Sequence, residues 1–239
     1  MLCVNFGTRS GRVSRFRGVP NRGVSDHDHH RDRRQRARRR QPGQGGDRPR
    51  LQRRAQQLPR PQSLAGLESD LGPHARAATP EQAATAGDFA IVAIPLTAID
   101  QVPAEPLAGK VVIATINYFP DRLGHIAEID NGTTTAPGLL QSHLPTSRVV
   151  RAFSMINAAE MSADGHPEGD PKRRGLALAG DDPAAKHLVA RLYDEFGFDA
   201  LDIGGLAESW RIDAGQPAFV TRQNAAELKA NVASAKRPA

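Results

Sequence analysis

The sequence has a single cysteine, Cys3, in 239 residues. A disulfide framework needs at least two and a cysteine-built metal site needs more, so both are excluded. Aromatic residues are scarce too, at 5% of the chain, with one Trp and two Tyr. No apolar run approaches the roughly 20 residues that a membrane-crossing helix requires. The opening residues lack the uninterrupted apolar core of a secretory signal. A cytoplasmic protein with no membrane partner is the expectation. Lysine is also absent from the first sixty residues, although 17 Arg stand there.

The formal net charge of +6 suggests a nucleic-acid or membrane-surface binder until it is divided along the chain. In residues 1–60, 17 Arg against 4 Asp give +13, which leaves −7 for the remainder. The basicity belongs to one segment, and the rest is an ordinary, mildly acidic globular sequence. An Arg-rich arm that binds nucleic acid through its phosphates is therefore one reading of the function. His27-Asp28-His29-His30 lies in the same segment. Metal ligands must be held by a fold and its supporting contacts, which this composition does not supply, so no metal is expected.

What the chain does contain is a pair of short apolar runs with β-branched residues, Asp88-Phe89-Ala90-Ile91-Val92-Ala93-Ile94-Pro95 and Lys110-Val111-Val112-Ile113-Ala114-Thr115. A strand exposed on one face would alternate polar and apolar residues; these do not. Unbroken runs of this length fit strands buried on both faces, as in a parallel sheet covered by helices. Buried helix is the competing reading, but each run is shorter than a typical helix.

Residues 64–71 carry apolar positions at helical spacing and precede Gly72, so they predict a helix. A short strand is expected over residues 74–79, and a helix from Pro80 with proline in its first turn. Residues 139–144 predict a helix and residues 148–153 a strand. Residues 161–174, rich in Gly, Pro and charge, predict a surface loop. Residues 175–180 predict a further strand, then a helix capped by Asp181 or Asp182 that ends at Gly197, and a last strand over 198–203. Asp181-Asp182 reads as a cap rather than a catalytic pair. Such alternation predicts an α/β fold with a mostly parallel sheet.

From Pro61 onward, over about three quarters of its length, the sequence resembles the single-domain NADPH-dependent reductases of the deazaflavin coenzyme F420, a Rossmann family. The residues that carry this are Gly87 to Pro95, Gly109 to Ile113, Asn117, Arg148-Val149-Val150-Arg151-Ala152-Phe153 and Ala179-Gly180-Asp181-Asp182. Gly197-Phe198-Asp199-Ala200 and Leu206-Ala207-Glu208-Ser209-Trp210-Arg211 complete the set. The resemblance implies helices on both faces of the sheet, and hydride transfer between NADPH and F420 or a similar acceptor. The small-molecule partner is then a redox substrate. Family members pair through their C-terminal parts, so a homodimer is the assembly it points to. A related NAD(P)-binding protein that does not use F420 is a further alternative.

The family opens with a strand, a glycine-rich turn and a helix that hold the pyrophosphate, and then an Asn-Ser-Arg-Gly turn whose Arg can pair with the 2′-phosphate of NADP. None of these is written here, so the Rossmann domain over 61–239 is incomplete: it lacks its first strand, glycine-rich turn and first helix. Residues 1–60 fit instead a GC-rich gene read in the wrong frame, since most Arg codons begin C-G. His and Asp codons end in A-pyrimidine. Read one base along, Asp26–His27, Asp28–His29, His29–His30, His30–Arg31 and Asp32–Arg33 must each give Thr or Ile, a β-branched run. Arg31 to Ala37 then permits a glycine-rich turn. Gln56–Gln57 and Gln57–Leu58 must each give Asn or Ser, after which Ser-Arg-Gly is permitted. As written, an Arg-rich segment buries too little apolar surface to offset its ordering entropy, and disorder is expected.

The resemblance assigns site residues only in part. Hydride transfer is cofactor chemistry, so no catalytic triad is required and no catalytic residue is assigned. Ala93, Ile94 and Pro95 end the strand that would run beside the dinucleotide, where small residues allow close approach. Asn117 stands in the family's Asn-Pro position with Tyr118 in place of the Pro, and either orients the nicotinamide or caps a turn. Phe153, followed by Ser154 where the family has Asn, is a candidate on the substrate side. So are Trp210 and Arg211, through ring stacking or a phosphate contact; packing is the alternative for each.

Overall fold

A computed structural model describes residues 75–237, and the expected helix over 64–71, the glycine-rich turn and the Arg-rich segment lie outside the described residues. The first element is a short helix, α1 (Pro80–Ala86). Seven residues are too few for an isolated helix, so its start must be fixed locally. Thr79 accepts from Gln82 N–H through its side chain, and the Gln82 side chain accepts from Thr79 N–H in return, a reciprocal cap. That cap explains one departure from expectation. Residues 75–79 form no strand, because Thr79 has committed its N–H to the helix start rather than to a ladder.

Five strands follow: β1 (Phe89–Val92), β2 (Val111–Ala114), β3 (Arg148–Arg151), β4 (Gly175–Gly180) and β5 (Asp199–Asp202). Each lies inside a run expected to be a strand. They lie side by side in chain order. β1, β2 and β3 are parallel, with Ile91 opposite Ile113 and Ile113 opposite Val150. β4 runs antiparallel to β3, paired at Val150–Gly180 and Arg151–Ala179, and β5 is parallel to β4. The sheet is therefore mostly parallel, and the fold is α/β and Rossmann-like.

Its two faces are covered differently. Ala90, Val92, Val112, Ala114 and Val149 face a core closed by Leu96, Leu107 and Leu140. Leu96 lies in a 3-10 turn (Leu96–Gln101), and Leu140 in α4 (Ala136–His143), which follows two single-turn helices, α2 (Pro120–Leu123) and α3 (Ala127–Asp130). Phe89, Val111, Ile113 and Val150 face the other core, with Val189 and Tyr193 of α6 (Pro183–Glu195) and Leu228 of α7 (Ala225–Ala233). Helices thus cover both faces, as the unbroken apolar runs required.

Boundaries differ from expectation where caps are involved. α4 begins at Ala136 rather than at 139, because the Thr135 hydroxyl accepts from Gly138 N–H and Pro137 suits the first turn. A helix, α5 (Ala158–Ala163), enters the expected loop. Asp182 caps α6 by accepting from Ala185 N–H at 2.7 Å. Gly197, at φ +84°, turns the chain away from α6 in the left-handed region that favours glycine. Gly175 lets α7 pack against β4, since a Cβ there would stand 3.0 Å from the Ala225 Cα.

Candidate functional site

The carboxyl ends of β1 and β2 open onto a cleft of about 400 Å³. Its floor is Ala93-Ile94-Pro95 after β1 and Thr115-Ile116-Asn117 after β2, and its outer wall is Phe119, Arg122 and Leu123. Open α/β sheets bind ligands at this position, beyond the carboxyl ends of parallel strands. Ala93 is exposed in the cleft while Ile94 beside it is buried, so the floor is smooth and anchored. Four of the expected site residues, Ala93, Ile94, Pro95 and Asn117, come together here.

The outer wall is tied down by Tyr118. Its hydroxyl donates to Asp130 Oδ1 at 2.8 Å and accepts from Ile126 N–H at 3.0 Å, fixing the chain that carries Phe119 to Leu123. Burial pushes the phenol up from its ordinary value, and the hydroxyl it donates holds the Asp130 carboxyl below the usual carboxylate range. Arg122 lies over the Phe119 ring at 5.3 Å and, among the described residues, is the one charged side chain lining the cleft.

Asn117 is held from behind. Its Oδ1 accepts from Arg151 Nη2 at 2.9 Å and its Nδ2 donates to the Ser154 carbonyl at 2.9 Å. Arg151, at the end of β3, is fully buried. It also donates to Ser154 Oγ (3.0 Å), to the Ser209 carbonyl (2.8 Å) and to the Asp213 carboxylate, its one acidic partner among the described residues. A buried guanidinium is tolerated only when its donors are satisfied, and these contacts do that. Arg151 lies in a run that carries the resemblance, yet the sequence does not mark it as a site residue.

The remaining candidates lie away from the cleft lining. Phe153 is buried in the core at φ +55°, edge-on to Tyr193 with ring centroids 4.6 Å apart, and its N–H donates to the Tyr193 hydroxyl. Trp210 and Arg211 lie in a 3-10 helix (Leu206–Ile212). The indole ring carries Arg211 at 4.6 Å and Arg237 at 5.0 Å, while Arg211 pairs with Glu208 at 2.7 Å. Trp210 Nε1 is buried with no hydrogen-bond partner among the described residues. Asp181 accepts from Leu206 N–H at 3.0 Å, so the two adjacent aspartates hold two different backbone N–H groups. Among the described residues no group of three or more His, Cys, Asp and Glu could hold a metal ion, and no helix is long and apolar enough to cross a membrane.

Comparison with known proteins gives three kinds of match. Residues 56–118, which include both strands of the cleft floor, match the family model described as NADP oxidoreductase, coenzyme F420-dependent. Among curated proteins, the metalloreductase STEAP3 of Rattus norvegicus is 32% identical over 112 residues, which cover 46% of this chain. The aligned segment spans only 21% of that relative's length. Among solved structures, the hypothetical protein SMa0349 of Sinorhizobium meliloti is 27% identical with a TM-score of 0.58, covering 69% of this chain and 79% of that one. A protein of Arthrobacter sp. FB24 assigned as an F420-dependent NADP reductase has 24% identity and a TM-score of 0.51, covering 59% of this chain and 66% of that one. That likeness establishes the shared fold. The family match begins at Gln56, beside the Gln56–Gln57 and Gln57–Leu58 junctions that a reading one base along makes Asn or Ser.

Proposed function

We propose that this chain, which matches over residues 56–118 the family described as NADP oxidoreductase, coenzyme F420-dependent, descends from an NADP-dependent enzyme that passes hydride to or from a deazaflavin. The observation that carries the reading is the cleft itself. Ala93-Ile94-Pro95 and Asn117 meet at the carboxyl ends of two parallel strands inside the matched segment. A smooth, largely apolar floor with one fixed amide suits a planar ring whose substituent needs a hydrogen bond. The residues present fit the nicotinamide end of such a dinucleotide. Its phosphates would be held by the turn that residues 26–60 encode only when read one base along.

When bound, the cofactor supplies the hydride, and the protein's share is to hold two rings face to face and keep water out. Asn117 orients, Ala93 permits close approach, and Phe119 and Leu123 shield. Phe153, Trp210 and Arg211 lie outside the cleft lining and act in this reading as supports rather than contacts.

The test compares two proteins: the chain as written, and one with residues 26–60 re-encoded in the alternative frame. The re-encoded protein is expected to bind NADPH and oxidise it with F420, and the chain as written to bind it far more weakly. Failure of both to bind NADPH overturns the reading. NADPH oxidation with a flavin or ferric acceptor but not with F420 favours the second reading, a reductase with another acceptor; the partial match to a metalloreductase is what supports it.

A further inference from the structure

Asn117 can sit in only one way. The Arg151 guanidinium donates and never accepts, and the Ser154 carbonyl accepts and never donates. Rotating the amide by half a turn would set its Nδ2 hydrogens against the guanidinium and its Oδ1 against the carbonyl oxygen. Two hydrogen bonds, at 2.9 Å each, would become two repulsive contacts. With those bonds made, the amide retains one Nδ2 hydrogen and one Oδ1 lone pair, a donor and an acceptor. A carboxamide presents the complementary pair, one carbonyl oxygen and one N–H. A carboxylate offers two acceptors and leaves the Oδ1 opposed by like charge.

Arg151 itself cannot touch a ligand. It is fully buried, and its remaining donors are taken by Ser154, Ser209, Ile212 and Asp213. Asp213 offsets its charge, so its field on the cleft is weak compared with its hold on Asn117. We infer that Arg151 is a positioning residue that acts through Asn117, locking the amide so that the cleft selects a ring bearing a carboxamide over the same ring bearing a carboxylate. This rests on the nicotinamide reading of the cleft. It adds a selection rule and a residue that sets it.

Two probes test it on the full chain: the reduced forms of nicotinamide mononucleotide and of nicotinic acid mononucleotide, titrated by calorimetry. Neither carries an adenylate half, so binding needs the cleft and not the pyrophosphate turn. Wild-type protein is expected to favour the carboxamide by about tenfold or more, the scale of a buried hydrogen bond replaced by an unpaired group. Asn117→Ala should abolish the preference. Arg151→Lys keeps the charge but not the planar fork, and should weaken the preference while the double variant is no worse than Asn117→Ala alone. Equal affinity of the wild type for the two probes overturns the inference without any variant. An additive double variant, or Arg151→Lys that lowers only the thermal midpoint, overturns it as well. Wild-type protein that binds neither probe removes the nicotinamide reading itself, and that result is visible before any substitution is made.

Discussion

The Tyr193 hydroxyl accepts from Phe153 N–H at 2.8 Å and donates to the Ala177 carbonyl at 3.0 Å, so one buried oxygen joins the turn after β3 to the middle of β4. Phe153 stands at φ +55°, where a phenylalanine is strained by roughly 1–2 kcal/mol. Tyr193→Phe keeps the ring-on-ring contact but leaves a buried N–H and a buried carbonyl unpaired. A loss of about 1–3 kcal/mol is expected, measured by urea denaturation. Burial also pushes the Tyr193 phenol far up. A raised folded-state value means this stability is complete below the unfolded tyrosine value, near ~10, and drains away as pH rises beyond it. Alkaline difference absorption should therefore show no Tyr193 ionisation before the protein unfolds.

Filling the cleft should separate binding from folding. Ala93 is exposed on the cleft floor. Ala93→Leu places three extra carbons on the cleft floor and should leave the urea midpoint within about 0.5 kcal/mol of wild type, as for surface changes. The same substitution is expected to abolish binding of reduced nicotinamide mononucleotide. Undiminished binding would move the ligand away from this floor.

Acid should loosen the base of β4. Arg174, buried ahead of that strand, pairs with Glu160 at 2.8 Å and lies 3.6 Å from Asp164, which also meets Arg222. Arg222 is the main cause that holds the Asp164 carboxyl down, and Arg174 does the same for Glu160. Folded-state values lowered in this way give stability that is complete above the unfolded carboxylate values, near ~4, and is lost as pH falls through the folded ones. The denaturation midpoint should drop between about pH 5 and pH 3, and Asp164→Asn should flatten that drop. An unchanged slope would remove the ion cluster as its cause.

Backbone strain gives two substitutions of opposite sign. Val220 is β-branched, exposed and at φ +51°. Val220→Gly should stabilise by about 1 kcal/mol, because relief of the left-handed strain exceeds the small loss of packing. Gly197→Ala should destabilise by more than the roughly 1–2 kcal/mol of φ strain alone, since its Cβ would lie 2.6 Å from His166 N. A Val220→Gly midpoint that falls, or a Gly197→Ala midpoint that rises, would contradict the corresponding assignment.

The sequence made the sheet legible because strands buried on both faces leave a continuous apolar trace; Val111 to Ala114, all buried, is the clearest. Ala93, Ile94, Pro95 and Asn117 were legible because they follow such traces directly. Arg151 was hidden for the opposite reason. A charged residue that closes an apolar run reads as a strand end meeting water, and its partners lie 34, 58 and 62 positions away at Asn117, Ser209 and Asp213. Nothing local marks it as buried. α7 was missed although its signal was present, since Asn224 and Glu227 form a reciprocal cap at the spacing that announces a helix start. Residues 206–212 gave no periodic pattern because a short 3-10 helix has none to give.

The reversal of β4 bears on how the molecule breathes. Only Val150–Gly180 and Arg151–Ala179 stitch β3 to β4, whereas β1, β2 and β3 are paired along their whole length and β4 with β5 over four positions. The join is a seam of two rungs with Arg151 on one of them. Deuterium should therefore enter the amides of Arg151 and Ala179 ahead of those in the flanking ladders, through an opening smaller than global unfolding. Such a partial opening would part Arg151 from Ser209 and Asp213 while both halves of the sheet stayed folded.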